Sequence, residues 1–198
     1  MKHAAIGLRA RSGWATLVAI AGPVDSPSVI ARQRIQLVKT FTYEFRQPYH
    51  TAAKLGLQQA GKFISRSRAE ARPLAQRALR AVQDDLRKKG FELSGCGLLL
   101  ASGRPLPALG GILASHALIH TADGELFRNA LANASDRLGL PVSAVKEREL
   151  YDHAAKVLRR KADDLKRRIA DLGRPIGPPW SQDEKLSALV AWLALASS

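Results

Sequence analysis

Arg9 and Arg11 lead into the short polar stretch Ser12-Gly13. Guanidinium forks meet phosphate or carboxylate oxygens two at a time, and a tight turn adds backbone amides. Arg9, Arg11 and Ser12 are therefore candidate anion ligands, against the alternative of a plain solvated hairpin turn. Lys146-Glu147-Arg148-Glu149 mixes charges at an expected strand end, which suits either a site or a solvated helix start. Ser102-Gly103-Arg104-Pro105 follows an apolar run, where open α/β sheets bind ligands, but its single glycine does not make a phosphate loop. His116 and His120 stand four apart, on one side of an expected helix. With no His-Glu-x-x-His pattern and no evident third ligand, no metal is expected there. Pro48-Tyr49-His50 offers an imidazole without an evident acid partner and reads as a helix start. Cys96, inside an apolar run, reads as an inert core thiol. Gly110-Gly111 fits no dinucleotide fingerprint.

The elements that must position these residues follow from periodicity. Residues 4–8, 14–21 and 28–38 read as three antiparallel strands, the third with Val29, Ala31, Gln33, Ile35 and Leu37 on one face. Arg9–Gly13 is the expected first turn, and Gly22–Pro27 the second. From Tyr49 to Lys89 the period is helical, with Leu79, Val82 and Leu86 on one side and Pro73 expected to break the run in two. Phe91–Ala101 reads as a buried central strand and Val142–Val145 as a fifth. Residues 108–138 read as helical with an interruption at Asp123-Gly124. Residues 149–172 read as one amphipathic helix and 182–196 as a last, mostly apolar one. Trp180 is expected to pack that last helix onto the body. Its apolar residues 186–195 need a large cover, either the sheet or a second subunit.

The chain has 198 residues, 46% hydrophobic and 24% charged, which suits a single globular domain over 1–198. That domain divides into antiparallel strands (1–38), a basic helical segment (49–90), a βαβα part (91–174), and a linker with the final helix (175–198). One cysteine excludes a disulfide framework and a multi-cysteine zinc module. No apolar run is long enough for a transmembrane helix. Lys2, Arg9 and Arg11 before an apolar stretch also resemble a secretory signal. The apolar Ala4–Leu8 inside the charged region and the lone cysteine favour strands and a cytoplasmic chain. Net charge is +14 with a pI near 10.6, which favours a polyanionic partner. The excess is uneven: residues 54–90 carry ten bases against three acids, and residues 146–174 ten against six.

Three antiparallel strands, then alternating helices and parallel strands, form the order β-β-β-α-β-α-β-α. This resembles the ribonuclease-H-like fold of RuvC resolvases, the YqgF family and actin-like ATPases. Ile6-Gly7-Leu8-Arg9-Ala10-Arg11-Ser12-Gly13 is similar to the Gly-Ile-Asp-x-Gly-Ser/Thr opening of RuvC and YqgF proteins. Leu140-Pro141-Val142 through Val145-Lys146-Glu147-Arg148 resembles the Leu-Pro-Val…Asp-Glu-Arg end of the YqgF fifth strand. Asp183-Glu184-Lys185-Leu186-Ser187-Ala188-Leu189 resembles the acidic final helix of RuvC-like proteins. The resemblance implies an α/β fold with a mixed five-stranded sheet and helices on both faces.

Nucleases of that fold clamp two divalent cations about 3.5–4 Å apart between carboxylates. Here the first aspartate of the family falls on Arg9, and the fourth-strand acid falls near Ala101 or Ser102. Asp183 and Glu184 can be placed in the acid set, with Glu147 and Glu149 as looser members. An arginine brings positive charge and no lone pair to such a site. The leading expectation is a non-catalytic RuvC-like protein without a cofactor. It binds nucleic acid or another phosphate-bearing ligand through Arg9, Arg11, Ser12, Arg104 and Arg148. The alternatives are a Mg²⁺- or Mn²⁺-dependent nuclease using Glu147, Glu149, Asp183 and Glu184, or an interaction module that forms a homodimer through the last helix.

Overall fold

The computed structural model describes residues 1–101 and 105–197. β1 (Lys2–Arg11) and β2 (Trp14–Ala21) pair antiparallel with Arg9 opposite Thr16 and Arg11 opposite Trp14. The turn is therefore only Ser12-Gly13, with Gly13 supplying the positive φ of 79°. The expected five-residue turn is corrected: Arg9 and Arg11 are strand residues that share one face of the sheet.

β3 (Ser28–Gln36) completes the antiparallel part, with Ala31 opposite Ala19 and Val29 opposite Ile20, so that Ile30 is an extra, bulged residue. The bulge splits the expected single apolar face. Val29 packs on one side of the sheet, while Ala31 and Ile35 pack on the other. β4 (Phe91–Leu100) and β5 (Val142–Lys146) run parallel to β1, giving the order β3-β2-β1-β4-β5.

On one face lie α3 (Leu57–Lys88) and α5 (His116–Arg137), with the short α1 (Tyr43–Arg46), α2 (Pro48–Ala52) and α4 (Leu109–Leu113) beside them. Contrary to expectation, Pro73 does not divide α3. A helical proline frees the carbonyl four residues back, here Ala69, and both residues are exposed, where water can take the bond. The buried stripe Ile64, Ala71, Ala75, Leu79, Val82 and Leu86 passes uninterrupted beneath them. The break expected at Asp123-Gly124 falls instead between α4 and α5, because Asp123 is buried inside α5 with hydrogen-bond partners on α2. Cys96 is fully buried, its thiol pushed up to about 11 by burial despite the Ser135 hydroxyl 3.3 Å away. The native protein is expected to resist iodoacetamide, with alkylation appearing by mass spectrometry only on unfolding.

The other face carries α6 (Leu150–Val157), α7 (Ala162–Leu172) and α8 (Gln182–Ala196). The helix expected over 149–172 is two, divided at Arg159, whose φ is 50°. The turn lets Leu158, Leu165 and Ile169 meet the same cluster from two helices. Trp180 packs on Gly173 and donates to the Ile169 carbonyl at 2.8 Å.

Residues 186–195 of α8 are all buried within this one chain, as a helix that is apolar all round requires. Their cover is the chain's own sheet and helices, the first of the two expected covers, which leaves these residues no surface for the alternative of a second subunit. The helix sits in a trough made by Gly7 and Gly97, neighbours in the parallel β1–β4 register. A Cβ on Gly7 would lie 1.8 Å from the Ser187 carbonyl oxygen, and one on Gly97 2.2 Å from that of Val190. Among the described residues, no helix is long and apolar enough to cross a membrane.

Candidate functional site

Because β4 lies between β1 and β5, the C-terminal ends of the three parallel strands line up at one end of the sheet. There β1 presents Arg9 and Arg11, the turn Glu147–Glu149 follows β5, and the first turn of α8 brings Asp183. Arg9 is only 8% exposed. It holds Glu147 in a fork, from Nη2 to Oε1 at 2.5 Å and from Nε to Oε2 at 3.0 Å. Its Nη1 donates to Asp183 Oδ1. Arg11 donates to the same carboxylate, from Nη2 to Oδ1 at 2.5 Å and from Nε to Oδ2 at 3.2 Å. The guanidinium of Arg9 thus lies between two carboxylates, where it supplies the positive charge that a cation bridging them would bring.

Burial opposes the charge on Asp183. Hydrogen bonds and positive charge from Arg11 and Arg9 outweigh it and hold the carboxyl below the usual carboxylate range. The hydrogen bond to Asp183 in turn raises Arg11 above its ordinary value. A depressed folded-state value stabilises the protein above the unfolded carboxylate value, near 3.9, and the benefit is lost as pH falls through the lower folded value. Asp183→Asn is expected to cost about 1–2 kcal/mol near neutrality. Its deficit should close below about pH 4, read from urea midpoints across the pH range; a deficit that persists in acid would contradict this pairing.

The four candidate acids do not converge. Glu147 and Asp183 meet only through Arg9. Glu184 completes a capping box, accepting from the backbone N–H of Ser181, and serves the helix start. Glu149 is exposed and pairs with Lys146 at 3.4 Å and Arg148 at 3.3 Å. These residues do not fit a two-cation centre, because a side-chain cation fills the bridging position. Of the anion candidates, Arg9 and Arg11 are engaged by carboxylates. Ser12 uses its carbonyl to accept from Arg46 Nε at 3.3 Å. Arg148 is exposed at the rim of an open depression of about 640 Å³, lined also by Glu147, Tyr151 and Gln182. Arg104 lies outside the described residues.

A second cluster escapes the sequence reading. His50 on α2 stands with His116 and His120 of α5, at ring-centroid distances of 5.4 and 4.4 Å. Its Nδ1 lies 2.5 Å from Asp123 Oδ2, and Asp123 Oδ1 accepts from the Tyr49 backbone N–H at 2.6 Å. Burial pushes the Asp123 carboxyl up, against the opposing influence of those two partners. Both earlier expectations are corrected: His50 has an acid partner, and the histidine pair has a third imidazole. The available signal was Asp123 itself, an acid three residues after His120 and seven after His116, hence on their side of the helix.

The third feature is electrostatic. Helical period places Lys62, Arg66, Arg77, Arg80 and Arg87 on the solvent face of α3, opposite its buried stripe. All five are exposed, and none makes an ion pair with a described residue. From Lys62 to Arg87 the helix rises about 38 Å at 1.5 Å per residue. The exposed Asp84 shares this face, and Glu70, one turn from Arg66, flanks its edge while pairing with Lys39. The short turn at Lys89-Gly90 sends β4 back along α3, so the Lys62 end of the stripe lies toward the Arg9 end of the sheet.

No family model and no curated protein sequence matches this chain. Among solved structures it is similar to Thermus thermophilus RuvC in complex with a Holliday junction substrate. The identity is 8%, covering 96% of this chain and 90% of that one, with a TM-score of 0.50. A second structure of Thermus thermophilus RuvC matches at 11% identity, 97% and 92% coverage and a TM-score of 0.47. The first likeness is one of fold: this chain has the expected ribonuclease-H-like α/β architecture, a mixed five-stranded sheet with helices on both faces.

Proposed function

We propose that this chain is a non-catalytic RuvC-like protein of the cytoplasm that grips the phosphate backbone of nucleic acid through the solvent face of α3. The reading rests on the stripe of five bases that make no ion pair with a described residue, Lys62, Arg66, Arg77, Arg80 and Arg87. A rigid line of positive charge suits a polyanion, since each neutralised phosphate releases condensed counterions whatever the base sequence. The RuvC neighbour's Holliday junction supports including branched DNA among the probes. The nuclease reading is disfavoured because Arg9 separates Glu147 from Asp183, while Glu149 and Glu184 are committed elsewhere.

The test is fluorescence anisotropy of the full chain with duplex DNA, four-way-junction DNA and RNA at several salt concentrations, with Mg²⁺ and Mn²⁺ present. Five phosphate contacts predict a slope of log K against log salt of about −4 to −5. Arg77→Gln with Arg80→Gln should reduce that slope by about 2 and weaken binding to every sequence alike. Intact probes are expected throughout. Absence of binding at low salt, or binding indifferent to the double substitution, overturns the reading; cleavage overturns its non-catalytic part.

A further inference from the structure

We propose that His50, His116 and His120 form a binding site for Zn²⁺ or a similar divalent transition-metal ion, with Asp123 orienting His50 and a fourth coordination position open. The site is separate from the α3 surface and stands whether or not the chain binds nucleic acid. Three of the chain's five histidines converge here from two helices. One ring nitrogen of each lies within 4.8 Å of those of the other two. Nitrogens that share a tetrahedral Zn²⁺ at 2.0–2.1 Å stand about 3.3 Å apart. His116 and His120 are exposed at i and i+4 on α5, so small rotations of free side chains close that gap without moving the backbone.

His50 is the anchored ligand. Its Nδ1 is committed to Asp123, which leaves Nε2 as the ring nitrogen free to coordinate. Asp123 cannot swing away, because it is 5% exposed and its other oxygen is held by the Tyr49 backbone N–H. A carboxylate that fixes the far nitrogen of a ligating histidine sets its tautomer and ring direction and raises its basicity, the usual support of imidazole–zinc sites. Three neutral imidazoles select borderline ions such as Zn²⁺, Ni²⁺ and Cu²⁺ over Mg²⁺ and Ca²⁺, which prefer oxygen ligands. Among the described residues no fourth histidine, cysteine or carboxylate joins the group. The remaining position is therefore left for water or an anionic ligand.

The full chain, purified without a histidine tag and stripped with chelator, would be titrated with Zn²⁺ by calorimetry. Co²⁺ would be followed in parallel by its tetrahedral visible absorption. One ion per chain is expected, with a Zn²⁺-dependent rise in Tm. Asp123→Asn should weaken binding about 10–100-fold, and His116→Ala or His120→Ala by at least as much. The two exposed histidines can be removed together without touching the core, so the double variant should fold normally and lose both the Co²⁺ spectrum and the Tm response. No stoichiometric uptake by the wild type, or uptake unchanged in the double variant, overturns the proposal.

Discussion

Gly7→Ala is expected to abolish the stable native state. The added Cβ would sit 1.8 Å from the Ser187 carbonyl oxygen and 2.7 Å from the Ala191 nitrogen. Both are backbone atoms of α8, so no rotamer change relieves the clash. Nor can α8 step back, since Leu186–Leu195 are packed on every side and Trp192 Nε1 is tied to the Val24 carbonyl at 2.7 Å. Overpacking usually costs about 1–3 kcal/mol when side chains can adjust. With backbone on both sides of the contact the cost should exceed about 4 kcal/mol, much of the whole stability of an ordinary domain. Gly97→Ala should behave alike, its Cβ meeting the Val190 carbonyl oxygen at 2.2 Å. Gly110→Ala, with nothing within 4 Å on α4, is the control and should be neutral or slightly stabilising. Urea denaturation of the three variants checks this; a Gly7→Ala protein with a wild-type midpoint would mean that α8 does not seat as described.

Arg9→Ala should give the second largest effect. It leaves Glu147 and Asp183 on either side of an empty space, with Arg11 still on Asp183 alone. Breaking a buried pair costs about 3–5 kcal/mol, and the partial exposure of Glu147 lowers the expectation to about 2–4. The variant should also gain a response its parent lacks: Mg²⁺ or Mn²⁺ should restore part of the stability. Arg9→Lys should fall between, because an ammonium cannot fork to one carboxylate while reaching another. Denaturation midpoints with and without divalent ions separate the cases. A wild type that is itself stabilised by Mn²⁺, with the effect lost in Asp183→Asn, would show that Arg9 does not fill this position.

The order of elements along the chain and the closing helix were legible because both follow from local pattern, whereas the mixed sheet followed from the family resemblance. Short apolar runs on either side of a glycine-containing turn marked the first two strands, and alternation marked the third. The dense apolar run at Cys96–Ala101 marked a central one, and the apolar character of residues 186–195 marked α8 as needing a cover. The misreadings came where tertiary contacts override local signals. Pro73 is tolerated because it lies on the wet side of α3, and the run 149–172 breaks at Arg159 although its apolar spacing continues. At the strand ends, the sequence offered Arg9 as a free anion ligand, since nothing local reveals Asp183, 174 residues away. Likewise His50 and Asp123 are 73 positions apart, and only the packing of α2 on α5 joins them.

The glycine trough has a consequence for how the chain reaches its fold. Its floor is laid by β1 and β4, yet its occupant arrives far later along the polypeptide: the Ser187 hydroxyl meets the Thr16 carbonyl across 171 residues. During synthesis, the part of this face that α8 covers therefore waits without its cover, with Ala5, Val18, Ile20 and Leu99 among the waiting residues, until α8 follows α6 and α7 out of the ribosome. Such long-range closure slows folding and lengthens the time a nascent chain offers sticky surface to its neighbours. A trough with no room for a methyl group also accepts few substitutes for α8, so the aggregation hazard before α8 arrives follows from the close fit once it is seated.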